Sequence, residues 1–204
     1  MKIAVINEVS ACAKNGDILA AMQSSAPGAQ ILNVGMSDPQ GQPQLTYMRT
    51  GLITAVMLHA GWCDFAVGGC GTGQGYLNSV TQYPGVFCGL IQEPLDAWLF
   101  SQINGGNCVS LALNKGYGWA GDINLRYIFD KLFCDPPGQG YPPARAETQA
   151  ESRAALRALS ARAHRPMGDI LAETPPGIWA PIRQHRPFME IVEQHRDSDI
   201  ARLI

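Results

Sequence analysis

The chain has 204 residues, 46% of them hydrophobic, and a formal net charge of −2. That is enough apolar material for one domain of ordinary size, with or without an appendage. The slightly acidic balance argues against a nucleic-acid binder, which would carry a basic surplus. No apolar run reaches the ~18 residues needed to cross a bilayer, so no membrane contact is expected. The apolar start, Met1–Ile6, is too short for a signal peptide and reads as a first strand. Six cysteines fall at positions 12, 63, 70, 88, 108 and 134 with no C-x-x-C spacing. Neither a zinc site nor a disulfide framework is expected. Free thiols without an export signal place the expected location in the reducing cytoplasm.

Taken in chain order, short β-rich runs alternate with helical patterns. Lys2–Ile6, Ile31–Val34, Phe65–Val67, Val86–Ile91 and Cys108–Leu113 are nearly continuous in apolar character, as strands covered on both faces are. Thr46–Ala60 reads as a helix with Leu52, Ile53, Val56, Met57 and Ala60 on one stripe. Pro94–Asn104 opens with a proline suited to a first helical turn, and a further helix spans Asp122–Phe133. The alternation predicts an α/β fold: a doubly wound, Rossmann-like parallel sheet of about five strands. Ligands of such sheets bind at the carboxyl ends of the strands.

The stretch Cys70-Gly71-Thr72-Gly73-Gln74-Gly75 falls on that edge, between the third strand and a segment that can continue as a helix. Its glycines allow a tight turn and close approach of the backbone to a ligand. Free N–H groups of the turn then face the ligand. The positive end of a following helix favours the thiolate of Cys70. A base beside such donors suits proton abstraction next to a carbonyl.

The composition changes after Asp135. Pro136-Pro137-Gly138-Gln139-Gly140-Tyr141-Pro142-Pro143 cannot continue a helix. Nine of the 14 prolines lie beyond Asp135, as do nine of the 15 basic residues, all of those arginine. A helix is expected over about Arg145–Ala163, then a proline-broken stretch, then a short helix near Phe188–His195. The expected organisation is an α/β domain over residues 1–135 and a linker with a helical, proline-rich arm over 136–204. The arm is too small to bury its own core and packs on the domain or on a partner subunit.

The cysteine–glycine turn and the start Met1-Lys2-Ile3-Ala4-Val5 resemble the ribose 5-phosphate isomerase B / galactose-6-phosphate isomerase family. The resemblance continues in order through Tyr83-Pro84-Gly85, Glu93-Pro94, Asn104-Gly105-Gly106-Asn107 and Leu111-Ala112-Leu113, over the first two thirds of the chain. It implies an aldose–ketose isomerase working through an enediolate on a small-molecule sugar, with Cys70 as general base and Thr72 ordering the turn. Backbone amides of the turn, including Gly71, Gly73 and Gly75, would hold the enediolate. Glu8, Tyr47 and Asn104 match further substrate-binding positions, and Arg153 and Arg157 match a pair of arginines in the final helix. Arginines four apart share one helical face, suited to a phosphate or carboxylate. The resemblance also implies a homodimer or homotetramer with shared active sites. With no ligand cluster in the sequence, neither metal nor organic cofactor is expected.

Several family residues are missing. Val9 follows Glu8 where the family has histidine after aspartate. Tyr47-Met48-Arg49 replaces Tyr-Pro-Asp. Ile103 stands where a ring-opening histidine is usual. No arginine follows the fifth strand in Asn114-Lys115-Gly116-Tyr117. None of the histidines at 59, 164, 185 and 195 is in register to replace the lost one, although a tail histidine can fold back. The substrate is therefore expected to be a small anionic sugar, a phosphate or an acid, that is open-chain or differently shaped from a cyclic pentose phosphate. Two other readings stay open at this point: a sugar- or phosphate-binding relative without catalysis, and a cysteine-nucleophile enzyme. Arg153 and Arg157 can equally form a solvated helix face and Glu8 a solvated loop carboxylate; a small packing residue is the lesser reading of Cys70, given the Gly-Thr-Gly that follows it.

Overall fold

The computed structural model describes residues 1–204. In chain order it runs β1 (Lys2–Asn7), α1 (Asn15–Ser25), β2 (Gln30–Asn33), α2 (Tyr47–His59), β3 (Phe65–Cys70) and α3 (Gln74–Val80). It continues with β4 (Cys88–Ile91), α4 (Pro94–Leu99), β5 (Cys108–Ala112) and α5 (Gly121–Phe133), and ends in α6 (Ala146–Ala163), α7 (Met167–Glu173), α8 (Pro176–Gln184) and α9 (Arg186–Gln194). All strand pairs are parallel, in the order β2-β1-β3-β5-β4. The doubly wound sheet expected from the alternating pattern is the fold.

Both faces of the sheet are covered, and the strands alternate between two cores. Ala4 and Ile6 enter a cluster with Leu52, Ile53 and Val56 of α2, while Ile3 and Val5 enter one with Ile18 and Met22 of α1 and Leu125 and Phe129 of α5. This two-sided burial explains why the strands read as apolar runs rather than alternating ones. The strand order reverses between β1 and β3, so their carboxyl ends flank the crevice where such sheets take ligands.

The predicted helices appear with small differences at their ends. Thr46 and Ala60 cap α2 rather than belong to it. The expected Pro94–Asn104 helix is α4 followed by a π-helical turn, Phe100–Asn104, closed by Gly105 at φ +51°. α1, which no sequence pattern marked, follows a tight 3-10 turn at Val9–Lys14.

Beyond Asp135 the chain is pinned to this turn. Gly138 and Gly140 donate backbone N–H bonds to the carbonyls of Ser101 (2.8 Å) and Gln102 (2.9 Å). Helix α6 then lies along the β4 side with Ser160 as its one buried residue. After it, α7, α8 and α9 pack on the α2 side. Met167, Leu171, Trp179, Ile182, Phe188, Ile191, Val192 and Ala201 join the same core cluster as α2. Three helices thus stand where the prolines suggested one, with Pro181 tolerated inside α8 and Pro176 at its first turn. No helix is long and apolar enough to cross a membrane.

Candidate active site

Three loops leave the carboxyl ends of β1, β3 and β5 and interlock. Cys70 ends β3, is 6% exposed, and lies beside Ala112 of β5 in the strand register. Its Sγ is 4.0 Å from Thr72 Oγ1, and Thr72 Oγ1 accepts the Gln74 N–H at 3.3 Å. Gly73 takes φ +76°, the left-handed conformation that turns the strand into α3. Ser110 Oγ holds its carbonyl at 2.5 Å. A Cβ on Gly75 would lie 3.0 Å from the ring of Tyr47, so that ring covers the turn. The N–H groups of Thr72, Gly75 and Tyr76 have no backbone acceptor in the chain.

The loop after β1 supports this turn from the side. Glu8 is 5% exposed, and Ser10 donates its hydroxyl to the Glu8 carboxylate. The same Ser10 oxygen accepts the Gly71 N–H at 3.0 Å. From the loop after β5, Asn114 Nδ2 donates to the Ser10 carbonyl at 2.8 Å. The N–H groups of Asn114 and Lys115 both donate to the Gly71 carbonyl, at 3.0 and 2.8 Å. Gly71 is therefore fixed at both its N–H and its C=O. Glu8 is a buried acceptor in this network, not a solvated loop carboxylate. Ser10 and Asn114 were not singled out by sequence reasoning. Each follows a strand at the ligand-binding edge, and that position was the available signal.

Asn104, Arg153 and Arg157 lie elsewhere. They line a groove of about 470 Å³ between α6 and the β4 side, together with Ile103, Phe87, Leu156 and His164, and Cys70 is not among its lining residues. Arg153 donates to the carbonyls of Ile103 (2.9 Å) and Gly138 (2.7 Å), clamping α6 to the π-helical turn. Arg157 makes no ion pair within the chain. His164 places its ring nitrogens 2.9 Å from the Ser160 carbonyl and 3.4 Å from that of Thr81. His185 folds back on the end of β2, 2.9 Å from the Val34 carbonyl, and burial pushes its proton affinity down.

Cys12, Cys63 and Cys108 are buried and Cys88 is half-buried, whereas Cys134 is exposed. Burial pushes the Cys63 thiol up to about 12. A hydrogen bond with Cys108, then burial, pushes Cys88 far up. No group of three or more histidine, cysteine or carboxylate side chains is arranged to hold a metal ion.

The parallel doubly wound sheet brings a thiol, a buried carboxylate and unengaged backbone donors together at its reversal point, where α/β proteins of this architecture take their ligands. The ribose/galactose isomerase family model matches residues 3–127, and the chain belongs to that family. It is thus an isomerase of the intramolecular oxidoreductase class. A ribose-5-phosphate isomerase from Vibrio parahaemolyticus is 41% identical, with TM-score 0.91 over 96% of this chain and 92% of that one. A 4-deoxy-L-threo-5-hexosulose-uronate ketol-isomerase, solved with tartrate, is 38% identical, with TM-score 0.90 over 94% and 91%. The type B ribose 5-phosphate isomerase of Trypanosoma cruzi, at 19% identity, shares the fold, with TM-score 0.67 over 79% and 97%. No curated protein sequence matches the chain.

Proposed function

We propose that the protein interconverts an aldose and a ketose of a small anionic sugar through an enediolate, with Cys70 as the base. The observation that carries this is Cys70 on a turn whose Thr72, Gly75 and Tyr76 N–H groups lack acceptors. The Cys70 thiolate takes the proton from the carbon beside the carbonyl. The electron pair of that C–H bond moves into a C=C bond, and the carbonyl oxygen becomes the enediolate oxygen facing the turn's N–H groups. Return of the proton to the neighbouring carbon, with proton exchange between the two oxygens, completes the isomerisation. Glu8 and Ser10 hold Gly71 in place, and Tyr47 walls the turn.

The separate placement of Asn104, Arg153 and Arg157 supports a site completed by a second copy of the chain. Arg157 is the member of the pair without a carbonyl to hold, so it is the better placed to grip an anion. Ile103 lacks a proton for ring opening, and one 38% identical relative is named for a uronate. Both favour an open-chain sugar acid over a cyclic pentose phosphate.

A panel of aldoses, ketoses, their phosphates and uronates in deuterated water tests this, scored for label at the carbon next to the carbonyl. A sugar acid should exchange best, and Cys70→Ala should lower turnover by at least ~100-fold in a folded protein. Near-normal turnover of that variant removes Cys70 as the base. Ribose 5-phosphate as the best substrate, at ~10⁴ M⁻¹s⁻¹ or above, removes the argument from Ile103. His164, in the groove with Asn104, is then the donor to examine.

A further inference from the structure

Trp119 is 99% exposed, the most solvent-open large apolar side chain of the protein. It stands at the tip of the loop Asn114–Ala120, which leaves β5 at the same sheet edge as Cys70. The root of that loop is bound to the catalytic turn through the two hydrogen bonds to the Gly71 carbonyl. Its middle is anchored as well. Tyr117 donates to Asp17 at 2.6 Å, Lys14 Nζ lies 4.3 Å from the centre of its ring, and a Cβ on Gly121 would strike that ring. Trp119 alone is unattached, between Gly118 at φ +65° and Ala120, with open space around Gly116 and Gly118. It lies four positions after Lys115, a span of at most ~14 Å.

Resting on the isomerase reading above, we propose that Trp119 is the apolar wall of the sugar site, its indole packing on the C–H face of the bound carbon chain. The polar groups at the turn suit oxygens: the N–H donors and the Thr72 hydroxyl. A sugar also has faces made of C–H bonds, and at the turn itself the Tyr47 ring covers one side only. An aromatic ring provides such a surface at low conformational cost, since only two side-chain torsions must be fixed. The fixed loop root and anchored Tyr117 leave rotation of the Trp119 side chain as the closing movement. The same contact would discriminate by sugar configuration, because axial hydroxyls break up the C–H face that the indole meets.

Iodide quenching of indole emission tests this with galacturonate and ribose 5-phosphate as probes, on the full-length protein and on Trp119→Phe and Trp119→Ala. Trp62 and Trp179 are buried and Trp98 is half-buried, so Trp119 is the indole most open to iodide, and Trp119→Phe isolates its share. A saturating probe should shield an indole in the unaltered protein and shield none in Trp119→Phe. Trp119→Ala should lower kcat/KM about tenfold or more, and Trp119→Phe should restore most of it. Unchanged shielding in Trp119→Phe, or a Trp119→Ala variant within twofold of normal kcat/KM, overturns the proposal. So does an indole shielded before any probe is added, together with a smaller assembly for Trp119→Ala by light scattering, because Trp119 is then a subunit contact. Shielding without turnover keeps the Trp119 wall and removes the isomerase reading. Turnover without shielding does the reverse, and neither binding nor turnover with both probes removes both.

Discussion

At Gly73 the backbone must take φ +76°, and a Cβ there would lie 2.5 Å from Leu90 Cδ1 and 3.2 Å from the Ala112 nitrogen. The left-handed conformation costs an L-residue roughly 1–2 kcal/mol, and the backbone contact with β5 cannot yield without moving the strand that carries Ala112. Gly73→Ala should lower stability by about 1–3 kcal/mol in a denaturant titration, and turnover should fall further because the turn's N–H groups lose their aim. A variant with normal stability would mean that the turn can close another way. Ser10 makes a related point at the same scale. Its hydroxyl donates to the Glu8 carboxylate and accepts the Gly71 N–H. The sequence identified the glycines of the turn, but the residue that fixes Gly71 stands 61 positions earlier.

Among the elements, the C-terminal helices depend on the sheet for their core. Trp179, Ile182 and Phe188 are buried with α2, and His195 stacks on Trp62 at 5.1 Å between ring centres. His185, between α8 and α9, is buried against the Val34 carbonyl, and desolvation makes its imidazole harder to protonate than in the unfolded chain. Below about pH 6.5 the unfolded state therefore binds more protons than the folded one. The stability that His185 contributes is full above that pH and is lost as pH falls through the lowered folded-state value. Urea midpoints from pH 8 to pH 5 should fall more steeply for the unaltered protein than for His185→Gln. Parallel curves for the two proteins would show that His185 titrates without coupling to docking of the tail.

For the whole molecule, the separation of the Cys70 turn from the groove with Asn104 and Arg157 has a consequence for assembly. If a second copy brings the two sets together, each site draws on two chains. Inactive Cys70→Ala protein mixed with inactive Arg157→Ala protein should then regain part of the activity as subunits exchange, because one kind of mixed site carries neither change. A monomer by light scattering at working concentration would end this reading. Leu156 and Leu159, 53% and 61% exposed on α6, lie on the groove side and are apolar enough to be covered in such an assembly.

Burial on both faces leaves its mark in local sequence, so the five strands, helices α2, α4 and α5 and the doubly wound sheet were legible from apolar runs and turn residues, whereas α1 was not. Cys70 and its glycines were legible for the same reason: strand, turn and helix start are adjacent in the chain. Long-range placement was not. Glu8 reaches Gly71 through Ser10, Arg153 clamps two backbone carbonyls, and three tail helices join the α2 core. Each depends on contacts between segments far apart in sequence. Helices α7, α8 and α9 are short and interrupted by prolines, so local propensity alone could not define them. They are held by the apolar surface that α2 and the sheet leave to be covered, and that surface exists only once the sheet has formed.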